Sequence, residues 1–310
     1  MKNSVTAYAP ASVSNVACGF DIMGFALEQP GDRVTVRFAG EPGVRISVKG
    51  NGSQSLPLNP QENTAGMPVL AMMKDFAPDR GVEIEIEKGL PIGSGIGSSA
   101  ASAVAAAVAC DALLGCNLPR EQILNYAIEG ERIASGAVHV DNLAPSLWGG
   151  FVLIRGYEPI DLVHLPVPDN LWCAIVCPDI QIRTKEAREL LPKSIPLRDV
   201  IRQTGNAAGL VAGLMSGNYE LIGRSLHDAI AEPARACLIP GFLDLKNAAL
   251  RAGALGCSIS GSGPALFALA ESRSHAESVE QAMLKTLDGR SAPLLSFVSS
   301  VAKRGAYIVD

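Results

Sequence analysis

The chain has 310 residues and a formal net charge of −5, with 18% charged and 48% hydrophobic residues. That length and apolar content predict one large or two medium globular domains and exclude a disordered chain. The acidic balance, without any run of basic residues, excludes a surface built to neutralise nucleic-acid phosphates.

A short strand is predicted at residues 5–9. It leads into Pro10-Ala11-Ser12-Val13-Ser14-Asn15-Val16-Ala17-Cys18-Gly19-Phe20-Asp21, a loop of small residues that ends in a lone carboxylate among apolar neighbours. Such an acid is either a turn-former or a ligand for something cationic. Residues 33–38 and 44–48 alternate and are joined by Gly40-Glu41-Pro42-Gly43, which reads as a hairpin. A polar loop covers residues 51–60 and a helix residues 63–76, with Asn63-Thr64 at its start in the place of a cap.

Val82-Glu83-Ile84-Glu85-Ile86-Glu87 alternates apolar and acidic, the pattern of a half-buried strand. Residues 101–114 are nearly all Ala, Val and Leu and make a good helix with small side chains. Between them lies Leu90-Pro91-Ile92-Gly93-Ser94-Gly95-Ile96-Gly97-Ser98-Ser99-Ala100, a strand-to-helix loop whose backbone N–H groups gather at a helix N-terminus. That is either a flexible turn or a phosphate site, with glycines for close backbone approach and serines as caps or donors. A Walker A loop is excluded, because no lysine lies between Leu90 and Leu114. Gly95-x-Gly97-x-x-Ala100 satisfies a dinucleotide-binding glycine pattern. A second helix follows, however, where that fold needs a strand ending in an acidic residue.

The second helix is predicted at residues 119–135 and carries Glu129-Gly130-Glu131-Arg132 near its end. A carboxylate there faces the negative end of the helix dipole, so it is either a solvated charge or a ligand for a cation such as Mg²⁺. His139-Val140-Asp141-Asn142 crowds three polar side chains into a turn before a strand at 151–154. The second half reads as a strand (171–177), helices (184–191, 197–216, 219–228), strands (256–260, 265–270) around Gly261-Ser262-Gly263, a helix (275–287) and a strand (295–301). That order fits a ferredoxin-like split βαβ layout. Arg188 lies one helical turn after Thr184, and Arg235 lies among apolar residues. Each is either a snorkelling surface side chain or, jointly, part of a fork for a carboxylate.

Seven cysteines, an odd number spread along the chain, read as reduced core residues. Cys173 and Cys177 have no second ligand pair nearby, so no metal site is expected there. Met1-Lys2-Asn3-Ser4-Val5 has no apolar leader core, and no stretch is long and hydrophobic enough to span a bilayer. The expectation is a soluble, cytoplasmic protein with neither membrane nor nucleic acid as partner.

Pro91-x-x-x-Gly95-x-Gly97-Ser98-Ser99-Ala100 resembles the signature of the GHMP small-molecule kinases. Within that family the homoserine kinase branch is the one resembled. Ala9-Pro10-Ala11-Ser12-x-Ser14-Asn15 leading to Gly19-Phe20-Asp21 is similar to its first motif, with Ala17-Cys18 in place of the usual Gly-Pro. Ser12 stands where the sugar and mevalonate branches commonly carry lysine. Similar to the branch, too, are His139-x-Asp141-Asn142-x-Ala144-Pro145, Thr184-x-x-x-Arg188 and Glu232-Pro233-x-Arg235-x-x-Leu238-Ile239-Pro240. Ser258-Ile259-Ser260-Gly261-Ser262-Gly263-Pro264-Ala265 resembles the third GHMP motif.

The resemblance implies an α+β, two-domain GHMP kinase fold. Residues 1–166 form an ATP-binding half like domain 2 of ribosomal protein S5, and residues 167–310 a ferredoxin-like half. It implies a homodimer that transfers the γ-phosphoryl of ATP to the hydroxyl of L-homoserine, with Mg²⁺ on Ser98 and Glu131. ATP would lie on Pro91, Gly93, Ser94, Gly95, Ile96, Gly97, Ser98 and Ser99, with Asn63 against the adenine. Arg188 and Arg235 would take the substrate carboxylate, Asp21 and Asp141 its ammonium, and Asn15 would lie near the hydroxyl, with His139, Asn142 and Thr184 completing the pocket. Asp141 is a candidate base, although pairing with an ammonium would lower its pKa. The alternatives are another GHMP kinase acting on a small alcohol, a non-catalytic sensor of the same fold, and a nicotinamide-binding oxidoreductase.

Overall fold

The computed structural model describes residues 3–50, 53–135, 138–287 and 293–309; residues 51 and 52 of the predicted polar loop lie outside them. In chain order the strands are β1 (Ser4–Ser14), β2 (Met23–Ala39), β3 (Gly43–Gly50), β4 (Gly81–Lys88), β5 (Phe151–Tyr157), β6 (Ile160–Leu165), β7 (Trp172–Cys177), β8 (Gly256–Ile259), β9 (Leu266–Ala270), β10 (Leu295–Ser300) and β11 (Tyr307–Val309). The helices are α1 (Gly66–Phe76), α2 (Ser98–Leu114), α3 (Arg120–Ser135), α4 (Val140–Trp148), α5 (Thr184–Glu189), α6 (Leu197–Ser216), α7 (Tyr219–Ser225), α8 (Ala231–Arg235), α9 (Phe242–Arg251) and α10 (Arg273–Lys285).

Among the described residues the strands form two sheets. One runs β11-β1-β2-β4-β3, with β5 and β6 added through β2, and the other runs β10-β7-β9-β8. The second order is that of a ferredoxin-like sheet, with β7 and β9 central and Ala174, Val176, Leu266 and Ala268 in its core. The fold is therefore the α+β, two-sheet architecture expected. The two sheets do not divide the chain at one point, however. The predicted division after residue 166 puts the C-terminus with the second half, whereas β11 pairs antiparallel with β1 of the first sheet.

The predicted hairpin does not form. β3 pairs parallel with β4, and β4 lies between β3 and β2. Charge explains the order. β2 carries Arg33 and Arg37, and β3 carries Arg45 and Lys49, so direct neighbours would set like charges opposite each other. The acidic face of β4 separates them, with Glu83 bonded to Arg37 at 2.7 Å and Glu85 to Lys49 at 2.7 Å. Its other face, Val82, Ile84 and Ile86, enters the core.

Nearly all of α2 is buried, because its alanines let the first sheet approach on one side and α1, α3 and α4 on the other. The Gly/Ser loop is thereby held at the N-terminus of a helix fixed in the core. The stretch His139 to Asn142, expected as a turn, instead opens α4, which continues despite Pro145 inside it. A proline leaves the carbonyl four residues back without its helical donor. That carbonyl belongs to Asp141 and lies against Gly24, where any Cβ would overlap it. Among the described residues no helix is long and apolar enough to cross a membrane.

Candidate active site

A cavity of about 730 Å³ opens where the loop before α2 meets the loop between β8 and β9. Gly93, Gly95 and Gly97 have φ of 71°, 82° and 68°, a region that side chains disfavour, and together they curl the loop around its own backbone amides. A Cβ on Gly95 would lie 2.7 Å from the Gly263 carbonyl oxygen, so the two loops close on each other only through glycine. Ser260 Oγ donates to the Gly95 carbonyl at 2.7 Å, and the Ala265 amide to the Ser94 carbonyl at 3.2 Å. Gly93, Ser94, Gly95, Gly97, Ser98 and Ser99 line the cavity. Pro91 and Ile96 do not: the Pro91 carbonyl accepts from Ser94 Oγ at 2.8 Å, and Ile96 is fully buried in the core.

Glu131, on α3, faces the start of α2. Its Oε2 accepts from Ser99 Oγ at 2.9 Å, and its Oε1 lies 3.1 Å from His139 Nδ1. Ser98, expected with Glu131 as a ligand of Mg²⁺, donates to the Leu90 carbonyl at 3.3 Å. Consecutive helical residues point about 100° apart, so only one of two adjacent serines can face α3. That serine is Ser99. Burial works against charging His139. The hydrogen bond and charge of Glu131, with Asp141 and Asp21 adding, nevertheless hold its imidazolium above the usual value.

Across the cavity, Asp141 is 2% exposed, and its Oδ1 is buried with no hydrogen-bond partner among the described residues. Burial pushes its carboxyl up to about 7, with the charges of Asp21 and Glu131 adding and His139 opposing. Asp21, at φ 59°, binds Arg188 Nη2 through both carboxylate oxygens, at 2.9 and 2.7 Å. Asn15 braces this loop, accepting from the Asp21 amide at 2.9 Å and donating to the Gly261 carbonyl at 2.7 Å. Arg235 reaches in from α8, its Nε on the Ala187 carbonyl and its Nη1 on the Gly261 carbonyl, both at 3.1 Å. Thr184 Oγ1 lies 3.4 Å from Ser262 Oγ.

Of the residues singled out in the sequence, Asn15, Asp21, Glu131, His139, Asp141, Asn142, Thr184, Arg188 and Arg235 meet on this cavity with the loop. Like Asn15, the other two amides are engaged structurally. Asn142 bridges Ser12 Oγ and Ser14 Oγ, each at 2.9 Å, which holds the end of β1 against α4. Asn63 is 1% exposed and lies outside the lining. It donates to the Pro57 carbonyl at 2.7 Å and accepts from the Ala65 amide at 2.9 Å, bracing the turn just ahead of α1, whose N-cap position is Ala65. The wall beside the glycine loop is Leu56, Pro57, Thr64, Ile92 and Ile133. Leu56 and Pro57 carried no sequence signal, because apolar residues in a loop have no period to read.

Residues 64–150 match the family model for the GHMP kinases N terminal domain, and residues 210–289 that for the GHMP kinases C terminal domain. The chain is 48% identical to the homoserine kinase of Chlorobium phaeobacteroides, with 99% of each chain covered. The crystal structure of homoserine kinase from Cytophaga hutchinsonii superposes with a TM-score of 0.95 at 48% identity, covering 100% of this chain and 98% of that one. Mevalonate kinase of L. major in complex with R-mevalonate shares the fold, with a TM-score of 0.75 at 15% identity and coverage of 97% and 98%. With nearly half its residues identical to such relatives along its whole length, the chain belongs to the homoserine kinase family of the GHMP kinases.

Proposed function

We propose that the protein transfers the γ-phosphoryl of ATP to the side-chain hydroxyl of L-homoserine, giving ADP and O-phospho-L-homoserine. One observation carries the reading. A buried carboxylate oxygen of Asp141, without a hydrogen-bond partner among the described residues, shares one cavity with Asp21, two guanidinium groups and a glycine loop at a helix N-terminus. An α-amino acid bearing a hydroxyl complements that set. Its ammonium answers Asp141 and Asp21, its carboxylate answers Arg188 and Arg235, and Asn15 lies near its hydroxyl. The loop amides and the α2 dipole take the phosphates.

Glu131 and Ser99 fit a magnesium ion. They offer one carboxylate and one hydroxyl, which suits a cation that otherwise prefers phosphate oxygens and water. Among the described residues no group of three or more His, Cys, Asp or Glu could hold a metal alone, which suits an ion arriving with the nucleotide. Mg²⁺ would neutralise phosphate charge as the transfer proceeds. His139 orients the Glu131 carboxylate. Asp141 beside an ammonium is a weak base, so it serves to hold the amino acid, and the rate comes from positioning and charge neutralisation. A cytoplasmic homodimer is part of the same proposal, with light scattering in solution the check on its assembly.

The test is ADP release from Mg-ATP with L-homoserine, galactose, mevalonate, L-serine or no acceptor. Release that depends on L-homoserine is expected; release with another acceptor overturns the substrate assignment. ATP binding without release with any acceptor favours a sensor.

A pH effect follows from Asp141. Its carboxyl is raised, so below about 7 the ligand-free site holds a proton that the ammonium must displace. Homoserine binding should release a proton there, and KM should rise by about tenfold per unit as pH falls below 7. Calorimetry in buffers of different ionisation enthalpy reads that proton directly. A binding heat independent of buffer at pH 6 rules Asp141 out as the ammonium partner.

A further inference from the structure

Beneath the glycine loop lies a second set of charged residues with no role in the chemistry above. β4 ends in Lys88, whose side chain is 2% exposed, against Asp32 of β2, whose side chain is fully buried. Besides its contact with Asp32 Oδ2, Lys88 Nζ donates to the Ser98 carbonyl at 2.9 Å and to Ser102 Oγ at 3.0 Å. An ammonium has three protons, and each has an acceptor here. Asp32 is equally engaged. Its Oδ1 accepts from the Gly89 and Leu90 amides at 3.0 and 3.2 Å, and its Oδ2 accepts from Ser102 Oγ at 2.7 Å.

These partners lie at the two ends of the loop. Gly89 and Leu90 are its entry, Ser98 and Ser102 its exit onto α2, and Lys88 and Ser102 form the cavity floor. A buried ion pair contributes little net stability over an apolar pair of the same shape; what a fully satisfied network adds is one defined geometry. Left to itself, a loop with three glycines at positive φ would lose much conformational entropy on closing around an anion. With its protons engaged, Lys88 acts through the backbone and not on a phosphate.

We propose that the Lys88–Asp32–Ser102 network pins both ends of the glycine loop in its anion-accepting shape, making these three residues positioning residues for the nucleotide. The proposal rests on the kinase reading, and nucleotide binding by the unaltered protein tests that reading separately. Lys88→Met with Asp32→Asn removes both charges at nearly constant volume. The Asn oxygen can still accept from Gly89 and Leu90, while the Ser98 carbonyl loses its ammonium donor. Expected are a Kd for a fluorescent ATP analogue raised about tenfold and faster amide exchange in residues 91–99, with KM for homoserine changed less than about twofold. A merely structural role would lower Tm and leave that split absent. Ser102→Ala keeps both charges, so the protein should fold, and it should weaken the analogue about threefold. Unchanged nucleotide affinity in either folded variant overturns the proposal. If the unaltered protein binds no nucleotide, the kinase reading fails instead.

Discussion

Glu131→Gln should lower kcat about a hundredfold or more at saturating Mg²⁺ while the fold stays intact. Glutamine fills the same volume and can still accept from Ser99 Oγ, so the buried contact between α2 and α3 survives. What disappears is the negative charge. With it goes part of the force that raises the His139 pKa, so the His139 resonance should titrate at lower pH in the variant. That NMR readout separates loss of charge at the site from a general loss of activity. The serines give a second contrast: Ser99→Ala should reduce kcat more than Ser98→Ala, since Ser99 is the one that faces Glu131. Near-normal turnover of Glu131→Gln would remove the residue from the reaction.

Arg235→Leu should cost about 2–5 kcal/mol in kcat/KM for homoserine, the scale for removing one partner of a buried charge pair. Arg235 is 4% exposed, and burial lowers its pKa, so its charge is held at the expense of hydration. The guanidinium lies 5.0 Å from the centre of the Phe20 ring, a stacking contact that leaves its edge available to a carboxylate. Its bonds to the Ala187 and Gly261 carbonyls also steady α5 and the loop after β8, so Tm is measured alongside the kinetics. Arg235→Lys keeps the charge but not the planar fork, and should recover only part of the loss. KM for ATP should stay near its original value in both. Full homoserine turnover in a folded Arg235→Leu protein would overturn the carboxylate assignment.

The features legible in the residues alone are those set by neighbours in the chain. The alternation of Val82 to Glu87 produced β4, and the small-residue run after Ala100 produced α2. The helix predicted at residues 197–216 matches α6 end to end. The glycine loop was readable for the same reason: its glycines and serines bear on one short turn and the helix that follows. Motifs separated by more than a hundred residues, such as Asp21 and Arg188, could be proposed as one site only through family resemblance, and the fold brings them into direct contact.

Tertiary structure decided whatever depends on which segments become neighbours. The Gly-Glu-Pro-Gly turn signals a hairpin locally, yet two basic strands are better separated by an acidic one, and β4 enters from far along the chain. A few residues at the C-terminus become β11 only because β1 offers a free edge. Ser98 and Ser99 are equivalent on paper, and the angle of α2 against α3 gives Glu131 to one of them. Nothing in the Asn63-Thr64 pair itself shows that the Asn63 side chain bridges the Pro57 carbonyl and the Ala65 amide. Lys88 and Asp32, 56 residues apart, are an ordinary lysine and aspartate in the sequence. Only the packing of β2 against β4, under a helix of alanines, removes water from both and forces each charge to find the other.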